Sequence, residues 1–145
     1  MIPYIGAFLV ADREGYVLET VERQEDMPLP VVKGLDFTGY QVGQVLNMEY
    51  TDNFNMLIIL LNALTEEEKN DNFKLVDQID IIDVSDTDNI RVFVDSRLVV
   101  NYGDLYDISY RIKMSKQIIQ KNIDKNEKGI LDFTKGDYPV FIPGY

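Results

Sequence analysis

The sequence predicts an α+β fold: a largely antiparallel, twisted β-sheet with two helices packed on one face and a C-terminal edge strand. Three observations predict it. Runs rich in Val, Ile, Tyr and Phe, separated by Gly, Asp and Asn, recur from one end to the other. Two segments, Phe54–Glu67 and Leu105–Lys125, repeat their apolar residues at helical spacing. The order is β-hairpin, strand, helix, a strand region with a second hairpin, helix and strand pair. At 145 residues the chain is read as one domain, 1–145, long enough to bury a real core.

Pro3 to Ala11 has strand composition, and Asp12-Arg-Glu-Gly15 separates it from the alternating run Tyr16–Val21, so the pair reads as a hairpin. Leu29–Gly34 is a short strand. Pro30 cannot donate to a ladder, which places that strand at an edge or an entry point. Phe54–Glu67 is a helix with Thr51 or Asp52 as its cap. It is apolar nearly all round, as expected of a helix buried on more than one face. Glu66-Glu-Glu68 reads as its solvated end.

Leu75–Val84 is a strand. Val76, Ile79 and Ile82 do not keep one parity, so a bulge is expected. Asn89–Val94 and Arg97–Tyr102 form a hairpin around the two-residue turn Asp95-Ser96. The second helix, Leu105–Lys125, buries a stripe of Leu105, Ile108, Ile112, Ser115, Ile119 and Ile123. Arg111, Lys113 and Lys116 lie off it. Ile130–Phe133 and Tyr138–Pro143 form the terminal strand pair around a Lys135-Gly-Asp137 turn.

Composition excludes several function classes. The net charge of −11 opposes binding to phosphate backbones and to anionic lipid. With no Cys and no His, thiolate nucleophiles, disulfides, zinc–thiolate sites and imidazole bases are all absent. The longest apolar run, Met56–Leu61, falls well short of the roughly 20 residues a membrane helix needs. The start has no basic n-region and already follows a strand pattern, so the chain reads as a domain of a longer protein.

Chemistry in a His-free chain would fall to carboxylates. Asp77, Asp80 and Asp83 recur at every third residue, followed by Asp86 and Asp88. A glycosidase pair would need two such groups across a cleft. A calcium loop fails because the turn glycine and the distal Glu are missing. Solvated strand and loop charge accounts for all five. No serine lies in a nucleophile motif, and no glycine cluster forms a phosphate cradle.

The C-terminal segment stands apart. Tyr138, Val140, Phe141, Ile142 and Tyr145 place five large apolar groups in the last eight residues, with Pro139 and Pro143 among them. A terminal strand carrying prolines belongs at a sheet edge, and an open apolar edge invites another chain to add a strand. The other reading is that these side chains close the protein's own core.

Several segments keep their order along the chain: Gly15-Tyr-Val-Leu18, Leu29-Pro-Val-Val-Lys-Gly34, the hairpin Ile90–Gly103, Tyr106-Asp-Ile-Ser-Tyr-Arg-Ile112 and Gly129-Ile-Leu-Asp-Phe133. Together they resemble the extracytoplasmic beta domain of the FtsQ/DivIB bacterial cell-division proteins. The resemblance implies a single-pass membrane protein whose transmembrane helix and POTRA domain precede this domain, which then lies outside the membrane at the division septum. It implies a non-enzymatic divisome scaffold, without cofactors, that binds the FtsB/DivIC and FtsL pair and helps control septal peptidoglycan synthesis. Carried over from the family, the partner surface comprises Ile130, Leu131, Phe133, Lys135, Tyr138, Val140, Phe141 and Ile142, with Arg111 and Lys116 facing acidic residues of the partner. A secreted binding or adhesion module of the same topology, and a carboxylate-dependent glycan hydrolase, are the alternative readings.

Overall fold

The computed structural model describes residues 1–69 and 71–144. Tyr145, among the apolar tail residues singled out above, lies outside them. Three strands, β1 (Ile2–Tyr4), β2 (Ala7–Ala11) and β3 (Val17–Val21), form an antiparallel sheet in the order β1-β2-β3. The expected single strand from Pro3 to Ala11 is therefore two. A tight turn at Ile5-Gly6, with Gly6 at φ +77°, folds the run back on itself.

The larger sheet holds six strands in sequence order: β4 (Val31–Lys33), β5 (Ile79–Asp83), β6 (Arg91–Val94), β7 (Leu98–Asn101), β8 (Gly129–Asp132) and β9 (Val140–Pro143). It is mixed. β4–β5 and β7–β8 are parallel and the other three pairs are antiparallel. Each parallel pair encloses one helix, α1 (Asp52–Glu67) or α2 (Ile108–Lys121). The sheet is thus two βαββ units, β4-α1-β5-β6 and β7-α2-β8-β9, joined at the β6–β7 hairpin.

The placement of the helices follows from this topology. β4, β5, β7 and β8 all run the same way, and both crossovers step in the same direction along the sheet. A crossover between parallel strands is almost always right-handed. Two right-handed crossovers of the same sense put both helices on one face. There Leu57, Leu60 and Leu64 of α1 and Ile112 and Ile119 of α2 share a core with Ile82, Val92, Val94, Val100 and Leu131 of the strands.

Local sequence accounts for most boundaries. Asp95 and Ser96 both take left-handed φ (+54° and +56°) and Arg97 N–H closes the turn on the Val94 carbonyl at 3.1 Å, but Val94 pairs with Leu98, so the hairpin loop holds three residues, Asp95–Arg97, where two were expected. The bulge expected in the fifth strand falls between Ile79 and Ile81. Leu75–Gln78, expected as the start of that strand, is a 3₁₀ turn. Helix α2 begins at Ile108, not at Leu105, because Leu105 and Asp107 are left-handed (φ +67° and +52°).

The seam between the helices corrects two further expectations. Glu68 is not a solvated helix end: it is 3% exposed, and its Oε1 accepts the Val76 N–H at 3.2 Å. Lys116 does not lie off the buried stripe: it is 4% exposed, with Nζ 2.7 Å from Asp71 Oδ2. Both extend the apolar stripes of their helices, Glu68 four residues after Leu64 and Lys116 four after Ile112. Burial pushes the Glu68 carboxyl above its ordinary value; the Val76 N–H and the Lys116 and Lys74 charges oppose that shift without cancelling it.

A raised carboxyl pKa favours the folded state fully below the unfolded-chain value of about 4.5, and that contribution is lost as pH rises through the folded pKa. Glu68→Gln should therefore match the wild type in urea unfolding at about pH 4 and gain on it by about pH 8. A difference that does not change with pH would contradict the buried, raised carboxyl.

Candidate binding edge at the last strand

Strand β9 is the outer strand of the six, with β8 on one side only. At the opposite end, β4 is met by the small sheet: Val32 N–H donates to the Met1 carbonyl at 2.7 Å. Among the described residues the sheet therefore has one covered edge and one open edge.

Gly129 and Phe141 determine how β9 sits. A Cβ on Gly129 would come 2.7 Å from Phe141 Cζ and 2.5 Å from the Ile142 carbonyl oxygen. Only a residue without a side chain lets the Phe141 ring lie across β8, where it packs against the core. Alternation then turns Val140 and Ile142 to the other face, 43% and 42% exposed.

Ile142 ends a row that crosses the whole sheet. Val31, Ile81, Phe93, Val99, Ile130 and Ile142 are direct cross-strand partners, one from each strand, on the helix-free face. The small sheet covers the first two, through Val10, Phe8 and Val21. Beyond it Phe93 and Ile130 are half-buried, Val99 is buried, and only Ile142, at the open edge, is exposed. Phe93 and Val99 were missed by the sequence reading, although Arg91–Val94 and Leu98–Asn101 are apolar on both parities, the pattern of strands that lack a fully wet face.

The predicted partner residues divide into three groups. Tyr138 (79% exposed), Val140, Ile142 and Lys135 line the open edge and its entry turn. Leu131 and Phe133 point inward and are buried; Phe133 stacks on Tyr102 at 5.7 Å, and the Tyr102 hydroxyl pairs with Ser115 Oγ at 2.7 Å. These two hold the edge and do not present it, while Ile130 is half-buried in the row. Arg111 donates to the Tyr102 carbonyl at 2.7 Å and lies over the Tyr106 ring, beside a hollow of about 150 Å³ that Tyr110, Asp137, Tyr138 and Pro139 also line. Lys116 stays inside the helix seam, away from this surface.

Of the five acidic residues weighed for catalysis, Asp80, Asp83 and Asp86 have side chains that hold turns or pair across strands. Asp80 accepts the Ser96 N–H at 2.8 Å, and Asp86 accepts the Asp88 N–H at 2.9 Å. Asp83 pairs with Arg91 at 3.0 Å. Burial works to raise the Asp83 carboxyl, but its bonds from Ser85 and the Arg91 charge outweigh it and hold the group below the ordinary range. Among the described residues no three acidic side chains converge as a metal site would require. In comparisons with family models, curated proteins and solved structures, none matches this chain.

Gly129→Ala should unseat the Phe141 ring and destabilise the fold by about 2 kcal/mol in urea unfolding, the scale of an overpacked core. A variant as stable as the wild type would show that β9 does not depend on this contact.

Proposed function

We propose that this chain is a non-enzymatic binding domain of the FtsQ/DivIB kind, which captures an extended partner segment by strand addition at β9. The observation that carries the reading is the open β9 edge: a rigidly seated strand with exposed apolar side chains and no neighbour on its outer side among the described residues. Of the segments that resemble the family, one lies directly beside this edge and another at the centre of the sheet. Gly129–Phe133 forms β8 and its end, and Ile90–Gly103 forms the hairpin that joins the two βαββ units. The structural roles of Asp80, Asp83 and Asp86 support binding over hydrolysis.

In this reading the partner is the FtsB/DivIC-like protein with its FtsL-like companion. The domain then works outside the cell membrane at the septum, anchored by other parts of a longer protein, and helps control peptidoglycan synthesis. Among the described residues no helix is long and apolar enough to cross a membrane. The net charge of −11 sets up a long-range barrier to an acidic partner, so Arg111 and Lys135 near the edge supply the local attraction.

The test is a calorimetric titration with the extracytoplasmic part of the cognate FtsB/DivIC-like protein, alone and with its FtsL-like companion. Ile142→Glu changes an exposed side chain and should weaken binding at least about tenfold while the fold survives. Phe141→Glu should abolish binding, with a loss of stability because that ring also packs inward. Wild-type affinity in both variants would remove the β9 site, and no binding by the wild type to either preparation would remove the divisome reading.

A further inference from the structure

The backbone of β9 has a parity that the ladder fixes. On β8, Gly129 N–H donates to the Arg97 carbonyl at 3.2 Å and Phe133 N–H to the Asn101 carbonyl at 3.0 Å, so odd-numbered residues of β8 bond toward β7. Even-numbered residues of β8 therefore bond toward β9. Gly144 N–H donates to the Lys128 carbonyl at 2.8 Å, in the same register as Ile130↔Ile142 and Asp132↔Val140. Residues 140, 142 and 144 thus face β8, and residues 139, 141 and 143 face outward.

Two of those three outward residues are prolines. The open edge offers three carbonyls, from Pro139, Phe141 and Pro143, but a single N–H, that of Phe141. Such an edge is rich in acceptors and poor in donors.

We infer that Pro139 and Pro143 make this edge selective: it accepts a foreign extended segment that brings backbone N–H groups at three alternate positions, and it rejects a second copy of β9. A symmetric pair of β9 strands centred on Phe141 would set Pro139 of one copy opposite Pro143 of the other. Carbonyl would then face carbonyl with no N–H between them, twice per dimer. Only the central Phe141 pair could form, and the flanking acceptors would lose water without gaining a donor. A foreign segment without proline at those positions satisfies all three carbonyls. It gives up only two of its own carbonyl bonds, which water can still reach at an exposed edge.

The side chains specify the segment further. The residues on either side of its central position face Val140 and Ile142 on the helix-free face, where an apolar pair extends the row that begins at Val31. An apolar edge at the septum would otherwise tend to pair with its own copies. Here proline takes the protective part that charge plays on other edges. The inference deepens the binding-edge reading and rests on it for the foreign strand.

The experiment is sedimentation of the wild type, Pro139→Ala/Pro143→Ala and Pro139→Thr/Pro143→Thr from micromolar to millimolar concentration, with circular dichroism to select the folded pair. Removing the prolines restores two donors per copy, so the folded variant should self-associate at least about tenfold more tightly than the wild type. Adding Ile142→Lys to that variant should return it to monomer. A proline-free variant that sediments like the wild type, or a wild type that dimerises just as tightly through β9, would overturn the inference. Titration of the same proteins with the FtsB/DivIC-like domain separates this outcome from the larger one. No binding by any of them, beside proline-controlled dimerisation, would remove the divisome partner and leave the selectivity standing.

Discussion

The parallel pairing of β4 with β5 and of β7 with β8 is the constraint from which the rest of this molecule follows. Parallel neighbours cannot be joined by a tight turn, so each pair requires a long crossover, and each crossover carries a helix. Because both crossovers run in one sense along the sheet, both helices lie on one face. On the opposite face, among the described residues, the small sheet and Met27 pack against Val31 of β4 and Ile81 of β5. That asymmetry leaves the apolar row buried or half-buried past β5 and exposed only at Ile142, on the open edge where it ends.

Tyr102 locks the second βαββ unit to this frame. It stands just past β7, fully buried, and touches the end of β8 and helix α2 by three different means. Its ring stacks on Phe133 at the end of β8, its hydroxyl pairs with Ser115 of α2, and its carbonyl receives the Arg111 guanidinium. Burial pushes its hydroxyl pKa up, so the group stays a neutral partner for Ser115 at any ordinary pH. β8 is therefore held from the core side, and β9 inherits its position from β8 through Gly129. In the proposed function, a strand anchored in this way would be ordered before a partner arrives, which would lower the entropy lost on association.

The helix seam shows a different use of charge. Glu68 and Lys116 stand where the apolar pattern of each helix calls for a hydrophobic residue. A buried carboxylate and ammonium contribute little net stability compared with an apolar pair. Their value lies in register: a slip of either helix would strand a charge in the core.

How much of this was legible in the sequence depends on the range of the interaction. The α+β class, both helices, the Asp95-Ser96 hairpin, the bulge near Ile79 and the terminal edge strand all follow from local spacing and turn chemistry, so one sequence sufficed for them. Short-range signals misled where tertiary contact overrode them: Leu105 fits a helical stripe but takes left-handed backbone, and Glu68 and Lys116 look solvated but are buried. Parallel pairing was not legible at all, since β4 and β7 carry the same local pattern whichever way their neighbours run. The candidate edge divides in the same way. Its apolar residues and prolines stand in the sequence. Which of them face outward, that Leu131 and Phe133 turn inward, and that both prolines fall on the outward parity were decided only by the register of β8 against β7. A ladder sets one parity for every strand it joins, and no single strand contains that information.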